Sequence, residues 1–414
     1  MPGVCGHWWA WRESTSVADD DTATLTQERG RHATNLELFL DLVFVFAVTQ
    51  IAGVLGSDLT LEGLGRGLLL AWLVWWLWSQ FAWLGTAVDL GGRSAAQYLV
   101  LATVPLTLLM AVALPGAFGA SGLEYAGAYL AVNLWALAIQ GWSLWHEPAT
   151  RAAWLRYVPL AALAPCLLVA GGLLEGDART VVWSTVAVFT VASAIAGGRG
   201  GREGNAEWTI DPSHFAERHG LFVIISLGEI LVAVGTAAAD GDLSLAIGAG
   251  LIAAVALACM FWWTYFAYVP EAVERMLRAA HGADRGTVAR NVFTFGHFPI
   301  VCGLVLYAVV AKHAVAHPED PLGSGDLAVL SASVALFVGG LLGLQWQAVR
   351  HLAAERVVAI VGVAALCVTA GPLVPGPVLL AVIAMVIAIM QARSVRRFER
   401  LAAARAPSEG ADGD

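Results

Sequence analysis

About twelve apolar runs, each long enough to cross a bilayer, decide what this chain can become. A membrane-spanning helix needs roughly 17–25 predominantly apolar residues. Such runs occupy approximately 36–55, 67–88, 95–114, 125–145, 154–174, 179–196, 219–238, 243–268, 289–311, 327–348, 356–370 and 376–391. The last two are short and are separated only by the breaker cluster Gly371-Pro372-Leu373-Val374-Pro375-Gly376-Pro377. The expected fold is an all-α integral membrane protein. Composition agrees: 58% of residues are hydrophobic and 13% charged, far from the balance of a soluble domain. The net charge of -9 and single Lys exclude a nucleic-acid binder.

The basic residues set the expected orientation. The N-terminal tail holds three of the 23 Lys and Arg residues, alternate loops hold one, two, three, four and two, and the C-terminal tail holds five. Only Arg66, Arg179 and Lys312 fall on the opposite side. This asymmetry predicts an even number of spans with both termini in the cytoplasm, hence a multi-pass protein of the cytoplasmic (inner) membrane. The count also leaves no Lys or Arg inside the predicted spans beyond their first turn.

The domains follow from these boundaries: a flexible cytoplasmic N-tail over 1–33, six helices over 34–196, a cytoplasmic linker over 197–218, six helices over 219–391, and a flexible C-tail over 392–414. The halves echo each other. His32 and Leu38-Phe39 have counterparts in His214 and Leu221-Phe222, Trp75-Trp76 in Trp262-Trp263, and Gln97 with Pro105 in Asn291 with Pro299. Two parallel six-helix repeats are expected, related by an axis along the membrane normal.

Several motifs resemble a known family. Glu37-Leu38-Phe39-Leu40-Asp41-Leu42-Val43-Phe44-Val45-Phe46-Ala47-Val48-Thr49-Gln50 is similar to the hallmark of the bacterial low temperature requirement protein A family. His214-Phe215-Ala216-Glu217-Arg218-His219-Gly220-Leu221-Phe222 with Leu227-Gly228-Glu229 resembles its second block, and Trp262-Trp263-x-Tyr265-Phe266 and Gly296-His297-x-Pro299 its third and fourth. The resemblance implies a multi-pass inner-membrane protein named for a role in growth in the cold, with His214, Glu217 and Arg218 at a cytoplasmic entrance. The family's polar, Asp-rich run after span 2 is reduced here to Asp89-Leu-Gly-Gly-Arg93.

Intramembrane ionisable residues are the candidate site. Asp41 is expected roughly 8 Å deep, Glu229 roughly 13 Å and His297 roughly 12 Å, at 1.5 Å per residue. Glu37 lies one turn before Asp41, on the same face, and is expected to reach water. With no base in the spans, the carboxylates would hold a proton or a cation, and Gln50 would supply hydrogen bonds. Asp41 and Glu229 are expected to converge on one cavity, with Trp75, Trp76, Trp262 and Trp263 as aromatic lining. The opposing reading is a protonated acid clamping two helices together.

The first function expected is a proton- or cation-coupled transporter, with the lipid bilayer and a small cation or proton as partners. An ion channel is the first alternative, since Phe39-x-Asp41-x-Val43-Phe44 resembles a Phe-Ser-Asp motif of twelve-helix potassium channels. A membrane-embedded enzyme or an assembly factor for lipid or envelope material is the second. No catalytic constellation, metal site or cofactor is expected: His313 and His317 have helical ligand spacing, but Pro318 breaks the helix beside them.

Overall fold

The computed structural model describes residues 32–87, 95–146, 148–200 and 210–405. Among these residues there is no strand, only an isolated bridge between Pro321 and Pro375. The first half consists of α1 (Asn35–Ser57), α2 (Leu61–Ala87), α3 (Ala95–Leu101), α4 (Thr103–Ala113), α5 (Gly122–Leu144), α6 (Pro148–Gly172) and α7 (Gly176–Gly200). The second comprises α8 (Pro212–Ala239), α9 (Leu245–Phe266), α10 (Val269–Ala279), α11 (Gly282–Val288), a π-helical turn (Ala289–Phe295), α12 (Gly296–Ala316), α13 (Ser324–Val349), α14 (Ala354–Thr369) and α15 (Gly376–Arg405).

Eleven stretches among the described residues are long and apolar enough to cross a membrane. The two short spans at the C-terminal end are among them. The stretch that falls short is instead in α6, where only Tyr157–Gly172 is continuously apolar. Arg151 and Arg156 lie in the first turns of α6, and Pro159 and Pro165 interrupt its ladder.

Several boundaries differ from the hydropathy reading. α8 begins at Pro212, seven residues before the expected start of its span, because Asp211 caps it. The Asp211 carboxylate accepts from the backbone N–H of Ser213 (3.0 Å) and His214 (3.2 Å), and Pro212 occupies the first helical position, where its missing N–H is harmless. His214, Glu217 and Arg218 therefore ride on a membrane helix and not on a linker. α15 runs on to Arg405, so 392–405 is helix and not free tail. Asp89–Arg93, residues 201–209 of the linker and both chain ends beyond 32–405 lie outside the described residues.

α1, α2, α8 and α12 meet at the centre of the bundle, and α12 is the most enclosed of them. It packs closely on α13 because Gly303 has no side chain. A Cβ there would lie 2.7 Å from the Phe337 nitrogen and the Ser333 oxygen, and the Ser333 hydroxyl donates to the Gly303 carbonyl at 2.8 Å. Small residues with a hydroxyl cross-link are the usual means of close approach between membrane helices.

Arg179, expected in a loop, lies in the first turn of α7 and is buried. Its guanidinium donates to the carbonyls of Ala117 (2.8 Å), Gly119 (2.6 Å) and Leu174 (2.9 Å). It thereby closes the polar ends of the 3-10 turn after α4 and of α6, which otherwise lack partners.

Candidate functional site

Two pairs of side chains, each spaced one helical turn apart, meet between α1 and α8. Glu37 and Asp41 project from one face of α1, and His214 and Arg218 from one face of α8. The Nε2 of His214 lies 3.0 and 3.1 Å from the two Glu37 oxygens. Arg218 bridges both acids, with Nη1 2.8 Å from Glu37 Oε1 and Nη2 2.7 Å from Asp41 Oδ1. The sequence separation is 177 residues for both Glu37–His214 and Asp41–Arg218. Equal offsets mean that α1 and α8 run parallel and in register.

The local sequence holds these groups in place. Thr34 caps α1 and forms a reciprocal capping box with Glu37: Thr34 N and Oγ1 donate to Glu37 Oε2 at 2.8 and 2.9 Å. Trp78 on α2 donates its Nε1–H to Asp41 Oδ1 at 2.8 Å, and its ring lies 5.9 Å from the Arg218 guanidinium carbon. Gly85, also on α2, leaves room for the acid: a Cβ there would lie 2.3 Å from Glu37 Oε1. At the surface, Glu217 accepts from the backbone N–H of Ala33 at 2.8 Å and lies 3.3 Å from His32, tying the second turn of α8 to the lead-in of α1.

The four ionisable groups are almost sealed, with at most 1% of Glu37, Asp41, His214 or Arg218 exposed. This corrects two expectations. Glu37 does not reach water, and the spans do hold a base. Arg218 ended the predicted apolar run because it is charged, yet the helix passes straight through it, since the charge is met inside the protein. The hydrogen-bond inventory is nevertheless incomplete: Asp41 Oδ2, His214 Nδ1 and Arg218 Nε are buried without partners.

Glu229 stands apart. It lies eleven residues beyond Arg218 on α8, about 16 Å along the helix, and accepts a hydrogen bond from the Thr49 hydroxyl on α1. Asp41 and Glu229 thus share the α1–α8 seam but occupy separate polar layers, and the expectation of one common cavity is overturned. Thr49, which hydropathy does not single out, is the nearer partner. Gln50 is half-buried and makes no hydrogen bond to either acid.

An aromatic layer separates the two. Trp75 and Trp78 pack against Phe222, with ring centroids 5.3 and 4.4 Å away. His219 lies 5.0 Å from Trp78. Beside Trp75 and Phe222, the space left between α1, α2, α8 and α12 is about 20 Å³ and is lined by apolar groups such as Val48, Ile51 and Val305. That is room for about one water, with no polar partners to hold it. Trp76 is half-buried and stacks on Trp72. Trp262 and Trp263 do not belong to this layer: they are 51% and 38% exposed on the outside of α9.

His297 belongs to a third group. Its Nδ1 lies 2.9 Å from the Val292 carbonyl and its Nε2 2.9 Å from the Tyr265 hydroxyl. The carbonyl can only accept, so Nδ1 carries the proton and Nε2 accepts from Tyr265. His297 contacts neither Asp41 nor Glu229. The π turn just before it has a cause in Pro299, which has no N–H for the carbonyls that precede it. Trp75 supplies the missing donor to Thr294 O at 2.7 Å. At the far end of α12, His313 Nδ1 pairs with Asp326 at 2.6 Å.

Comparison with known sequences completes the description of the site. The family described as bacterial low temperature requirement A protein (LtrA) matches residues 32–392, a stretch that contains every side chain of the three polar groups. An uncharacterized protein of Rhizobium meliloti (strain 1021) is 28% identical over 348 residues, covering 81% of this chain and 83% of its own. No solved structure matches the chain.

Proposed function

Because the chain belongs to the bacterial low temperature requirement A family, whose match covers the membrane bundle itself, we propose that the bundle is a proton- or monovalent-cation-coupled transporter centred on the α1–α8 seam. The observation that carries this reading is the charge of the sealed cluster. Two carboxylates and one guanidinium leave one negative charge when His214 is neutral. An unbalanced charge in a low-dielectric interior is expensive, whereas one proton or one monovalent cation makes the cluster neutral. Asp41 Oδ2 and His214 Nδ1, both without partners, are the atoms able to receive it.

The second polar layer supports transport over simple stabilisation. Glu229 with Thr49 lies on the same two helices, beyond the aromatic layer. A proton or cation leaving the Asp41 cluster has a second carboxylate to reach once Trp75, Trp78 and Phe222 move aside. The small apolar space beside Trp75 favours a gated exchange over the open water column of a channel. The basic asymmetry supports cytoplasmic termini and an inner-membrane location, which puts the Glu37–His214 layer nearer the cytoplasm. The two halves are read as parallel repeats, consistent with the parallel course of α1 and α8. In the enzyme reading these buried groups would need a substrate, and the sealed cluster offers no cleft for one.

The test is flux. Protein in liposomes containing a pH-sensitive dye is challenged with sodium, potassium and organic-amine gradients. The native chain should move protons in response to at least one gradient, and Asp41→Asn and Glu229→Gln should each lower that rate by tenfold or more, as a rough figure for loss of a required proton site. Unchanged flux in both variants at equal protein content would reduce the acids to interhelical clamps.

A further inference from the structure

The transport seam leaves the far edge of the bundle unused, where α14 and α15 splay apart. An open groove of about 540 Å³ runs between them. Its inner stretch is apolar, formed by Val358 and Gly362 on α14 and by Val386, Ile389 and Met390 on α15. Its outer end is charged, formed by Glu355 on α14 and Arg393 and Arg397 on α15. The groove carries apolar groups towards the middle of the membrane and cations towards its surface.

Length sharpens the reading. From Val386 to Arg397 is eleven residues, or about 16 Å along the helix, roughly half the thickness of a hydrocarbon core of about 30 Å. The groove therefore spans one leaflet, from interface to midplane, with the order of polarity of a phospholipid. A helix from a second protein would more naturally need apolar contact across the whole thickness.

The charged end has spare positive charge. Arg397 is shared between Glu355 at 3.4 Å and the His351 ring at 2.5 Å. Arg393 is exposed, and no acid among the described residues pairs with it. Arg350, Arg356 and Arg396 lie at the same end of the bundle. Basic pockets between membrane helices at this level bind anionic headgroups. Glu355, beside the two guanidiniums, adds an acceptor that suits a headgroup carrying a hydroxyl as well as a phosphate.

The floor is recessed at Gly362, where a Cβ would meet nothing within 4 Å. On the membrane-facing side of α14 around it, Val358 and Val361 are 65% and 63% exposed. A missing side chain in a row of exposed valines leaves a notch in the groove floor.

We propose that the α14–α15 groove is a binding site for one anionic phospholipid, with its phosphate on Arg393 and Arg397 and an acyl chain laid over Gly362. This site is independent of the proton-coupled seam. It is tested by native mass spectrometry of the full chain incubated with equal amounts of phosphatidylglycerol and phosphatidylcholine of identical acyl chains. The native protein should retain one phosphatidylglycerol in preference to phosphatidylcholine by about tenfold, the scale expected of two guanidiniums near a phosphate. Arg393→Gln with Arg397→Gln should bring the ratio near one. Gly362→Phe, which keeps both arginines but fills the floor, should abolish the tightly held lipid. The exposed pair Arg275→Gln with Arg278→Gln, on α10, should change nothing. Equal retention of both lipids by the native chain overturns the proposal, as does equal loss in the α10 variant, which would mark a diffuse basic surface. A change of oligomer mass in Gly362→Phe with lipid retention intact would assign the groove to a second copy instead.

Discussion

Replacing Arg218 by Met tests the energetics of the seam directly. Met preserves much of the volume beneath Trp78 but removes the only guanidinium among the described residues that touches Glu37 and Asp41. Two buried carboxylates then lie one turn apart, with His214 the one ionisable partner left to them among the described residues. Removing one partner of a buried ion pair costs about 3–5 kcal/mol, which lowers the folded-to-unfolded ratio by roughly two to four powers of ten. Adding Asp41→Asn should recover part of that loss. The remaining acid, Glu37, still has His214 at 3.0 Å, and those two can neutralise each other with one proton. The double variant is therefore expected to be more stable than Arg218→Met alone by about 1–3 kcal/mol, the range of coupling between contacting groups. Denaturant titration in mixed micelles, followed by helical circular dichroism, measures all four corners of the cycle. If Arg218→Met unfolds at the native denaturant concentration, or if the two losses simply add, the cluster is not the charge-balanced unit described.

Three other outcomes follow from particular contacts. Gly85→Ala should destabilise by about 1–3 kcal/mol through overpacking against Glu37, whereas Gly53→Ala, whose Cβ meets nothing within 4 Å, should be nearly neutral in the same unfolding titration. Tyr265→Phe should cost about 1–3 kcal/mol by stranding His297 Nε2, while Tyr125→Phe, whose hydroxyl has no partner, should cost little; thermal stability of the purified variants separates the two. Reporter tags at Gly241 and at the C-terminus should lie on opposite sides of the membrane, as the five spans between them require, and protease protection in oriented vesicles reads the answer.

The order of the membrane helices and eleven of the twelve expected spans were legible because hydrophobic length is a one-dimensional property. Charge patterns within helices were harder to read. Arg218 looked like the end of a loop because hydropathy treats each charge as a boundary, whatever neutralises it in three dimensions. A sharper signal was present in the pairing of Glu37-x-x-x-Asp41 with His214-x-x-x-Arg218, two complementary pairs at one helical spacing. Those pairs announce parallel helices in register. The partition of Asp41 from Glu229 was not legible, because the depth of Glu229 was counted from residue 219 and not from the true start of α8 at Pro212. Trp75 and Trp262 sit in similar motifs yet face opposite ways, since rotation of a helix about its axis is set by its neighbours. Gly85 could not be read at all as a partner of Glu37, for the contact is the absence of a side chain.

The π turn ahead of α12 gives the bundle a mechanical element. A π turn holds an extra residue, so relaxing it to α-helical winding would rotate the segment before it by about 100° relative to α12. Arg290 rides on that segment and donates to the Ala194 carbonyl of α7 at 2.8 Å. Trp75 and His297 each bond to a carbonyl of the same turn. Unwinding it would swing Arg290 off α7 and release Trp75 from the aromatic layer in one movement. A ring at the centre of the seam and a guanidinium anchored on α7 are thereby geared to a single seven-residue coil.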